Sequence, residues 1–329
     1  MVAGQGLSDG NTGCSAATEP RPWVALVGPE VEDNLGLRYL ASALDEAGFG
    51  VEILALNSKA DVPTVLDDLV SARPPPLLVG VSLAFQWRAL DVLALVVALR
   101  ERGFAGHVTA GGHFGSFARR ELLADFRELD SVCRYEAERT IVGLARAVSE
   151  AAGLDAVPGL ALRGAAGELV ETPLPASPLL EELAWPDRRG TPTSCLGHGV
   201  APMVASRGCY ANCAFCCIAA WHKQAEGRPR VRLRPVEDVA AEAAQLHRAH
   251  GVDAIVFHDD DFFLPTKERS LERIRALGAA LRAQGAGRIA TVVKARPNDL
   301  DADVVAATGR LRAFAGHGLA RLAELAGLN

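Results

Sequence analysis

The chain has 329 residues, of which 49% are hydrophobic and 22% charged, and its formal net charge is −6. This acidic balance, with no basic run carrying interleaved aromatic residues, disfavours nucleic acid as a partner, and the longest apolar helix candidate, residues 89–99, is shorter than the roughly 20 residues that a bilayer requires. Residues 1–20 lack the charged-then-apolar order of a signal peptide, so we expect a disordered tail and a cytoplasmic protein without a membrane partner.

In chain order, the first half alternates short apolar runs with segments of helical periodicity. Predicted strands cover residues 23–28, 51–56, 77–83 and 107–110, and predicted helices cover 35–47 and 89–102. This alternation indicates an α/β fold whose parallel sheet is covered by helices on both faces. Ligands of such sheets bind at the carboxyl ends of the strands, which here are the loops 28–36, 82–87, 111–116 and 133–140. No GxGxxG follows the first strand, which disfavours a dinucleotide site.

Residues 151–199 interrupt this alternation with a segment rich in proline. A hairpin pattern covers residues 159–172, and we predict that the whole segment is a connector rather than part of a core. Cys195 lies in it and is expected to be an isolated thiol.

The sequence SRGCYANCAFCC, residues 206–217, holds four of the seven cysteines. Cys209, Cys213 and Cys216 have CxxxCxxC spacing, and three thiolates this close can bind three corners of one iron–sulfur cubane. One iron would then stay open to a further ligand. A structural zinc site is the alternative, with His222 or Cys217 as its fourth ligand. Cys217 is otherwise interpreted as a thiol without a ligand role.

The second half again alternates helices with short strands. Helices are predicted at 236–250 and 267–284, and four strands near residues 204, 255, 290 and 312, of which the first is residues 203–206. This pattern is typical of a partial (β/α) barrel with its functional groups at the carboxyl ends of the strands. Three carboxylates, Asp259, Asp260 and Asp261, follow the second strand, where mutual repulsion favours a bound cation. An acidic helix start is the alternative for them.

The cysteine segment closely resembles that of the radical S-adenosylmethionine (SAM) superfamily. The segments GLRYLASALDEAGFGVEIL, VGVSL, AGGHFGS and YEAERT, within residues 21–150, resemble the cobalamin-binding domain in front of many such enzymes. LAWPDR, residues 183–188, is similar to the segment that joins the two domains in this family. The resemblance implies a flavodoxin-like (Rossmann-like) cobalamin-binding domain at 21–150, a linker at 151–199 and a radical SAM domain at 200–329.

The resemblance also implies a set of cofactor contacts. The cluster ligands would be Cys209, Cys213 and Cys216. Contacts to SAM would come from Phe215, Asp259, Asp260, Asp261 and Arg296. Contacts to the corrin ring or nucleotide tail of cobalamin would come from Gly36, Ser82, Gly111, Gly112, His113 and Glu136. Two of these have open alternatives, His113 as a loop histidine packing on its own turn and Arg296 as a plain surface arginine.

The chain departs from the family pattern at three places. The usual GEGE is Tyr135–Glu136–Ala137–Glu138 here, which would matter if the backbone needs a positive φ or a close approach to the corrin. No DxHxxG is present, so cobalamin is expected base-off without a histidine ligand. The barrel has four predicted units where six are usual, and residues 316–318 lack the glutamate that follows a glycine in relatives, so we expect an incomplete, truncated barrel.

These features predict a cobalamin-dependent radical SAM enzyme with a [4Fe-4S] cluster that reductively cleaves SAM. Its predicted activity is methyl transfer to an unactivated carbon or to phosphorus. We expect a small-molecule substrate, for which a natural-product intermediate is a candidate, and a reductant such as flavodoxin or ferredoxin. The alternatives are a cobalamin-dependent radical cyclase or rearrangement enzyme, and a truncated, non-catalytic fragment that binds cobalamin or an iron–sulfur cluster.

Overall fold

A computed structural model of the protein describes residues 21–190, 192–225 and 229–308, and the backbone of residues 313–314. The expected tail at 1–20 and the departure at residues 316–318 lie outside the described residues. No helix in the described ranges is both long and apolar enough to cross a membrane.

The first half forms a seven-stranded sheet in the order β2-β1-β3-β4-β5-β6-β7, whose first five strands run parallel. The order 2-1-3-4-5 is that of flavodoxin-like folds, as predicted. The elements in chain order are β1 (Trp23–Gly28), α1 (Leu35–Glu46), β2 (Gly50–Ala55), α2 (Val62–Ser71), β3 (Leu78–Ser82), α3 (Ala89–Glu101), β4 (His107–Gly111), α4 (Gly112–Phe117), α5 (Arg119–Asp125), β5 (Ser131–Cys133), α6 (Glu138–Ser149), β6 (Leu160–Arg163) and β7 (Leu169–Glu171).

The sequence explains why the central strands lie in the middle of the sheet. In β1, residues 24–27 are fully buried, because helices cover both faces of a parallel sheet. Asn34 begins α1, and its side chain accepts a hydrogen bond of 3.3 Å from the backbone N–H of Leu37. Helix α2 and strand β5 were not among the predicted elements. Short buried strands such as β5 carry too few residues for a clear periodic pattern.

The connector at residues 151–199 differs from its prediction in one respect. The predicted hairpin is present as β6 and β7, but it extends the first sheet in antiparallel fashion. Leu160 and Ala161 are fully buried in the two hydrophobic layers of that sheet. The expectation that this whole segment lies outside the core is therefore wrong for the hairpin, which closes the otherwise open edge of β5.

The second half forms a five-stranded sheet in the order β14-β13-β12-β9-β8. Four of its strands run parallel, and β8 pairs antiparallel with β9 at the edge. The elements in chain order are β8 (Thr193–Cys195), β9 (His198–Met203), β10 (Ser206–Gly208), α7 (Cys217–Gln224), β11 (Val231–Leu233), α8 (Val236–His250), β12 (Val252–Phe257), α9 (Lys267–Ala283), β13 (Ala290–Val292), α10 (Ala302–Thr308) and β14 (Ala313–Phe314).

Three of the four parallel strands of this sheet, β12, β13 and β14, are those that the sequence predicted near residues 255, 290 and 312. The prediction of the first strand at residues 203–206 is wrong, because β9 covers His198–Met203 and shares only Met203 with it. The first strand ends at Met203, and residues 206–208 form a separate strand that pairs antiparallel with β11. The cysteine segment therefore begins one short strand beyond the main sheet.

Residues 183–188, here called the domain clasp, bind both halves of the chain. The indole N–H of Trp185 donates to Asp238 of α8 at 2.8 Å, and the carbonyl of Trp185 accepts from the hydroxyl of Ser42 in α1 at 2.7 Å. Arg188 lies between Asp33 (3.0 Å) and Glu242 (2.9 Å), one carboxylate from each half. The clasp thus fixes α8 against the loop that follows β1.

We expect Arg188→Ala to lower the free energy of unfolding by about 3 kcal/mol, because it leaves the carboxylate of Glu242, which is 2% exposed, with one fewer cation. Arg189→Ala is the matched control. Arg189 is 63% exposed and pairs only locally with Asp187, so its loss should cost less than about 0.5 kcal/mol. Urea unfolding monitored by tryptophan fluorescence measures both. Equal destabilisation by the two variants would contradict the role given to the clasp.

Candidate functional site

Within the cysteine segment, the chain leaves β10 at a glycine that no other residue can replace without strain. Gly208 has a φ of +91°, and an added Cβ would collide with the carbonyl oxygen of Arg230. The segment then runs over residues 209–216 and enters α7 at Cys217. It lies at the carboxyl ends of β9 and β12, which is where functional groups of (β/α) folds gather.

The three predicted cluster ligands are free, partly buried thiols. The backbone N–H of Ala211 donates to the Cys209 sulfur at 3.3 Å, and the N–H of Cys216 donates to the carbonyl of Cys213 at 3.1 Å. Burial raises the pKa of Cys209, so its thiol is protonated in the absence of a metal. Cys217 is exposed as the first residue of α7.

Three thiols in one partly buried loop are the right donors for an iron–sulfur cluster. In the part of the chain that the structure describes, no three cysteine, histidine or carboxylate side chains converge on a common metal position. The donor set fits the cluster in its chemistry, and the assignment of Cys209, Cys213 and Cys216 as its ligands remains a prediction.

The three consecutive carboxylates after β12 hold the cysteine segment. Asp259, which is 1% exposed, accepts hydrogen bonds from the Ala205 N–H at 2.8 Å and from the Ser206 hydroxyl at 2.6 Å. Asp260 accepts from the N–H of Gly208 at 3.1 Å, and Asp261 lies 3.8 Å from the sulfur of Cys209.

These contacts give the acidic run a partner other than the expected cation. Burial raises the pKa of Asp259 to about 6 although Ser206 and Ala205 donate to it, and burial also raises that of Asp261 to about 6. Both oxygens of Asp259 are bound to protein groups, so this residue supports the loop from below. Asp260 is exposed beside the loop and Asp261 lies against Cys209.

Two further residues predicted to contact SAM lie around this segment. The guanidinium of Arg296 stacks on the ring of Tyr210 at 5.3 Å, and the Tyr210 hydroxyl donates to Asp299. Burial and the bond to Asp299 raise the pKa of Tyr210 to about 12. Phe215 is 93% exposed, so its ring makes almost no contact within the described chain. Arg296 is thus a cation beside the cysteine segment, and its contact with SAM stays a prediction.

Three of the residues predicted to contact cobalamin form one surface in the first half. Ser82 and Gly111 are paired neighbours at the carboxyl ends of β3 and β4. Gly112 follows with a φ of +93°, and an added Cβ would lie 2.9 Å from the backbone carbon of Leu83 and from the nitrogen of Ala84. Because these residues are small, no large side chain of theirs covers the carboxyl ends of β3 and β4. Gly36 is exposed in the first turn of α1.

His113 contacts the second half of the chain. Its ring lies 4.2 Å from the indole of Trp221 in α7, with a tilt of 37° between the ring planes. Burial lowers its pKa, so the imidazole is neutral at pH 7. His113 therefore packs on the second half of the chain. Sequence patterns gave no sign of this contact, since 108 positions separate the two residues.

Residues 135–138 stand where the family usually has GEGE, and their backbone shows whether the two missing glycines are needed for a positive φ. Tyr135 has a φ of +61°, a conformation that glycine adopts without strain, whereas Ala137 has an ordinary φ of −114°. The ring of Tyr135 packs edge-on against Trp221 with 4.9 Å between centroids. Only the first replacement thus meets a demand for positive φ, and packing against Trp221 offsets its strain.

Glu136, predicted to contact cobalamin, lies in an ion cluster between the two halves. It pairs with Arg232 and lies 3.6 Å from Arg207, whose guanidinium binds Glu138 at 2.7 Å. Arg207 also stacks on the ring of Tyr39 at 4.7 Å. Arg207, Glu138, Tyr39 and Trp221 are the site residues that sequence reasoning missed.

The chain is similar to known proteins over both halves. Residues 23–145 match the family described as B12 binding domain. An uncharacterized methyltransferase, PH0819 of Pyrococcus horikoshii, is 27% identical over 266 residues, which cover 78% of this chain and 55% of that protein. The anaerobic magnesium-protoporphyrin IX monomethyl ester cyclase of Synechocystis is 28% identical over 283 residues, 82% of this chain and 53% of that protein. The chain spans about half the length of these relatives.

Solved structures share the fold. The radical SAM methyltransferase TsrM of Kitasatospora setae, with tryptophan and a SAM analogue bound, aligns over 90% of this chain and 59% of its own, with a TM-score of 0.70 and 22% identity. The cobalamin-dependent SAM radical enzyme OxsB, with aqua-cobalamin and SAM bound, aligns over 94% of this chain and 46% of its own, with a TM-score of 0.66 and 20% identity. The predicted resemblance is therefore confirmed: the chain contains a B12-binding domain and has the fold of the cobalamin-dependent radical SAM enzymes.

Proposed function

We propose that this chain provides the cobalamin and SAM regions of a radical methyltransferase that acts on an unactivated carbon or a phosphorus centre of a small molecule. The observation that carries the proposal is that the carboxyl ends of strands from the two halves of the chain meet at one interface. The glycine-lined edge at Ser82 and Gly111 and the cysteine segment lie on the two sides of one interface, joined through His113 and Trp221. Two cofactors bound at these edges would face a common space.

The residues of the chain have distinct roles in this proposal. Cys209, Cys213 and Cys216 would hold a [4Fe-4S] cluster. When bound, cobalamin would supply a methyl carrier, and the cluster with SAM would supply one-electron cleavage of a carbon–sulfur bond. Arg296 offers a cation for the carboxylate of SAM, and Asp260 an acceptor for its amino group.

Other residues fix geometry and exclude water. Asp259 ties the entry of the cysteine segment to β12, and Arg207 ties it to the first half through Glu138. Since these groups are held by protein partners before any ligand arrives, little reorganisation is needed on binding. Gly111 and Gly112 let a planar macrocycle approach the backbone closely.

Several expectations from the sequence belong to the proposal. The electron donor would be flavodoxin or ferredoxin, and the protein would be cytoplasmic. Neither nucleic acid nor a membrane would be a partner. A radical cyclase is the second candidate function. It is favoured by one observation, the 28% identity to a relative named as a magnesium-protoporphyrin ester cyclase.

Anaerobic reconstitution with iron and sulfide should give about four iron atoms per chain, bound by the three thiolates. Cys209→Ala, Cys213→Ala and Cys216→Ala should each abolish this binding, measured as iron and acid-labile sulfide after gel filtration. Cys217→Ala is the control and should retain the wild-type iron content. Equal loss in the control, or zinc retained in place of iron, would overturn the ligand assignment.

Gly112→Ala should weaken the binding of hydroxocobalamin at least tenfold, a loss of about 1.4 kcal/mol. The new Cβ would lie 2.9 Å from the backbone after β3 and so displace the proposed cofactor surface. Gly103→Ala causes the same backbone strain, because Gly103 has a φ of +85°, and no atom lies within 4 Å of the added Cβ. Gly103 precedes β4 and so lies near the amino ends of the strands, away from the proposed cofactor surface. Titration followed by visible absorption should show unchanged affinity for this control and a base-off spectrum for the bound cofactor.

The products formed from SAM separate the two candidate activities. The reconstituted, cobalamin-loaded chain under a strong reductant should form S-adenosylhomocysteine, because a methyl group leaves SAM as a cation equivalent only in methyl transfer. A cyclase should give 5′-deoxyadenosine and methionine without S-adenosylhomocysteine. Mass spectrometry of both nucleosides decides, with the Cys213→Ala variant as the control for radical cleavage. Absence of S-adenosylhomocysteine together with abundant 5′-deoxyadenosine would refute the methyltransferase proposal.

A further inference from the structure

A cavity of about 810 Å³ lies between the two halves of the chain, beside the aromatic contact of Tyr135 with Trp221. One wall comes from the first half, at the ends of β5 and β7 and the start of α5. The opposite wall is the exposed face of α7, which carries Lys223 and Gln224. Cavities of about 300–1,000 Å³ are of the size that binds small molecules.

The charged groups of this cavity are unbalanced. Arg119 and Arg134 share a single carboxylate, since Glu171 accepts from Arg119 at 2.5 Å and from Arg134 at 2.8 Å. Lys223 adds a third cation from α7, and no ion pair of Lys223 is found in the described part of the chain. Among the described lining residues, three cations around one carboxylate leave an excess of positive charge facing the space.

Arg134 shows that this charge is built into the fold. The residue is 6% exposed, and one guanidinium nitrogen donates to the carbonyl of Thr172 while another binds Glu171. Its Nε is buried and has no hydrogen-bond partner among the described residues. A buried donor without a partner is costly, and burial also lowers the pKa of Arg134. An anion in the cavity would strengthen the field that keeps this guanidinium charged.

Four of the remaining lining residues are apolar or aromatic, and the other two, Thr172 and Gln224, are polar. Tyr135, Pro173, Leu174 and Ala220 lie next to the three cations. Such a lining suits a molecule with an apolar body and one anionic group better than a free inorganic ion. Guanidinium groups bind carboxylates and phosphates through two parallel hydrogen bonds, which adds geometric selectivity for these anions.

We propose that this cavity binds the carboxylate or phosphate group of a small molecule, with Arg119 and Lys223 as the contacting cations and Arg134 as the positioning residue behind them. The anion has two possible sources, a substrate with an apolar body or the phosphodiester in the nucleotide tail of cobalamin. Only the assignment of the anion to one of these sources rests on the proposed function. The cavity itself is tested without any cofactor.

Calorimetric titration of the full chain with phenyl phosphate, benzoate and benzylamine tests the charge selectivity. The two anions should bind saturably, and benzylamine should not, because it places a cation next to Lys223. Lys223→Glu should weaken phenyl phosphate at least tenfold, the effect expected when a charge-assisted hydrogen bond is replaced by repulsion. Arg282→Glu, an equal charge change on the exposed end of α9, is the control and should leave the affinity unchanged.

Equal binding of benzylamine and phenyl phosphate, or no effect of Lys223→Glu, would overturn the proposal. The source of the anion follows from comparing cobalamin with cobinamide, which has the same corrin without the phosphate-bearing tail. A tail-binding cavity predicts that Lys223→Glu weakens the binding of cobalamin but not that of cobinamide, and that cobalamin displaces phenyl phosphate. A substrate cavity predicts that phenyl phosphate still binds the cobalamin-loaded chain. If neither corrin binds while phenyl phosphate does, the proposed function fails and the anion site stands.

Discussion

The buried ion pair between Arg207 and Glu138 is the contact on which the arrangement of the two halves of the chain depends. Arg207 lies two residues before Cys209, and its guanidinium reaches 2.7 Å from a carboxylate at the start of α6. Burial opposes ionisation of Glu138, but Arg207 more than offsets it, and the pKa of this carboxyl is lowered. A buried charge that loses its partner is strongly destabilising, so the start of the cysteine segment has little freedom to move away from the first half.

Hydrogen bonds on either side of this ion pair also fix the cysteine segment to the second half of the chain. Asp259 and Asp260 bind the backbone N–H groups of Ala205 and Gly208 on either side of Arg207, so the segment is fixed to β12 as well as to α6. Gly208 permits the turn between these bonds with its φ of +91°. The acidic run after β12 therefore acts first as a set of acceptors for the neighbouring backbone, and this use satisfies donors that would otherwise be buried without partners.

Sequence reasoning succeeded where the signal is local and failed where two distant segments meet. The strands β1, β3, β4 and β12 appear as apolar runs because both faces of a parallel sheet are buried, and Gly112 was marked by its place after such a run. The contacts of Glu136 with Arg207 and of His113 with Trp221 join separate domains, and neither residue pair leaves a periodic or spacing pattern. The hairpin of β6 and β7 was recognised as a hairpin, but its partner strand β5 is too short to predict the docking.

Helix α7 connects the cysteine segment with the aromatic contacts of the interface and with the cavity. It begins at Cys217, directly after the last predicted ligand, and within eight residues it presents Trp221 to His113 and Tyr135. Two residues further along the chain, Lys223 faces the cavity that Arg134 lines from the other side. Because Cys217, Trp221 and Lys223 lie on one helix of eight residues, the position of the cysteine segment, the packing of the aromatic cluster and the width of the cavity are geometrically coupled. An occupant of the cavity and a cluster in the cysteine loop would therefore each favour particular positions of the same helix.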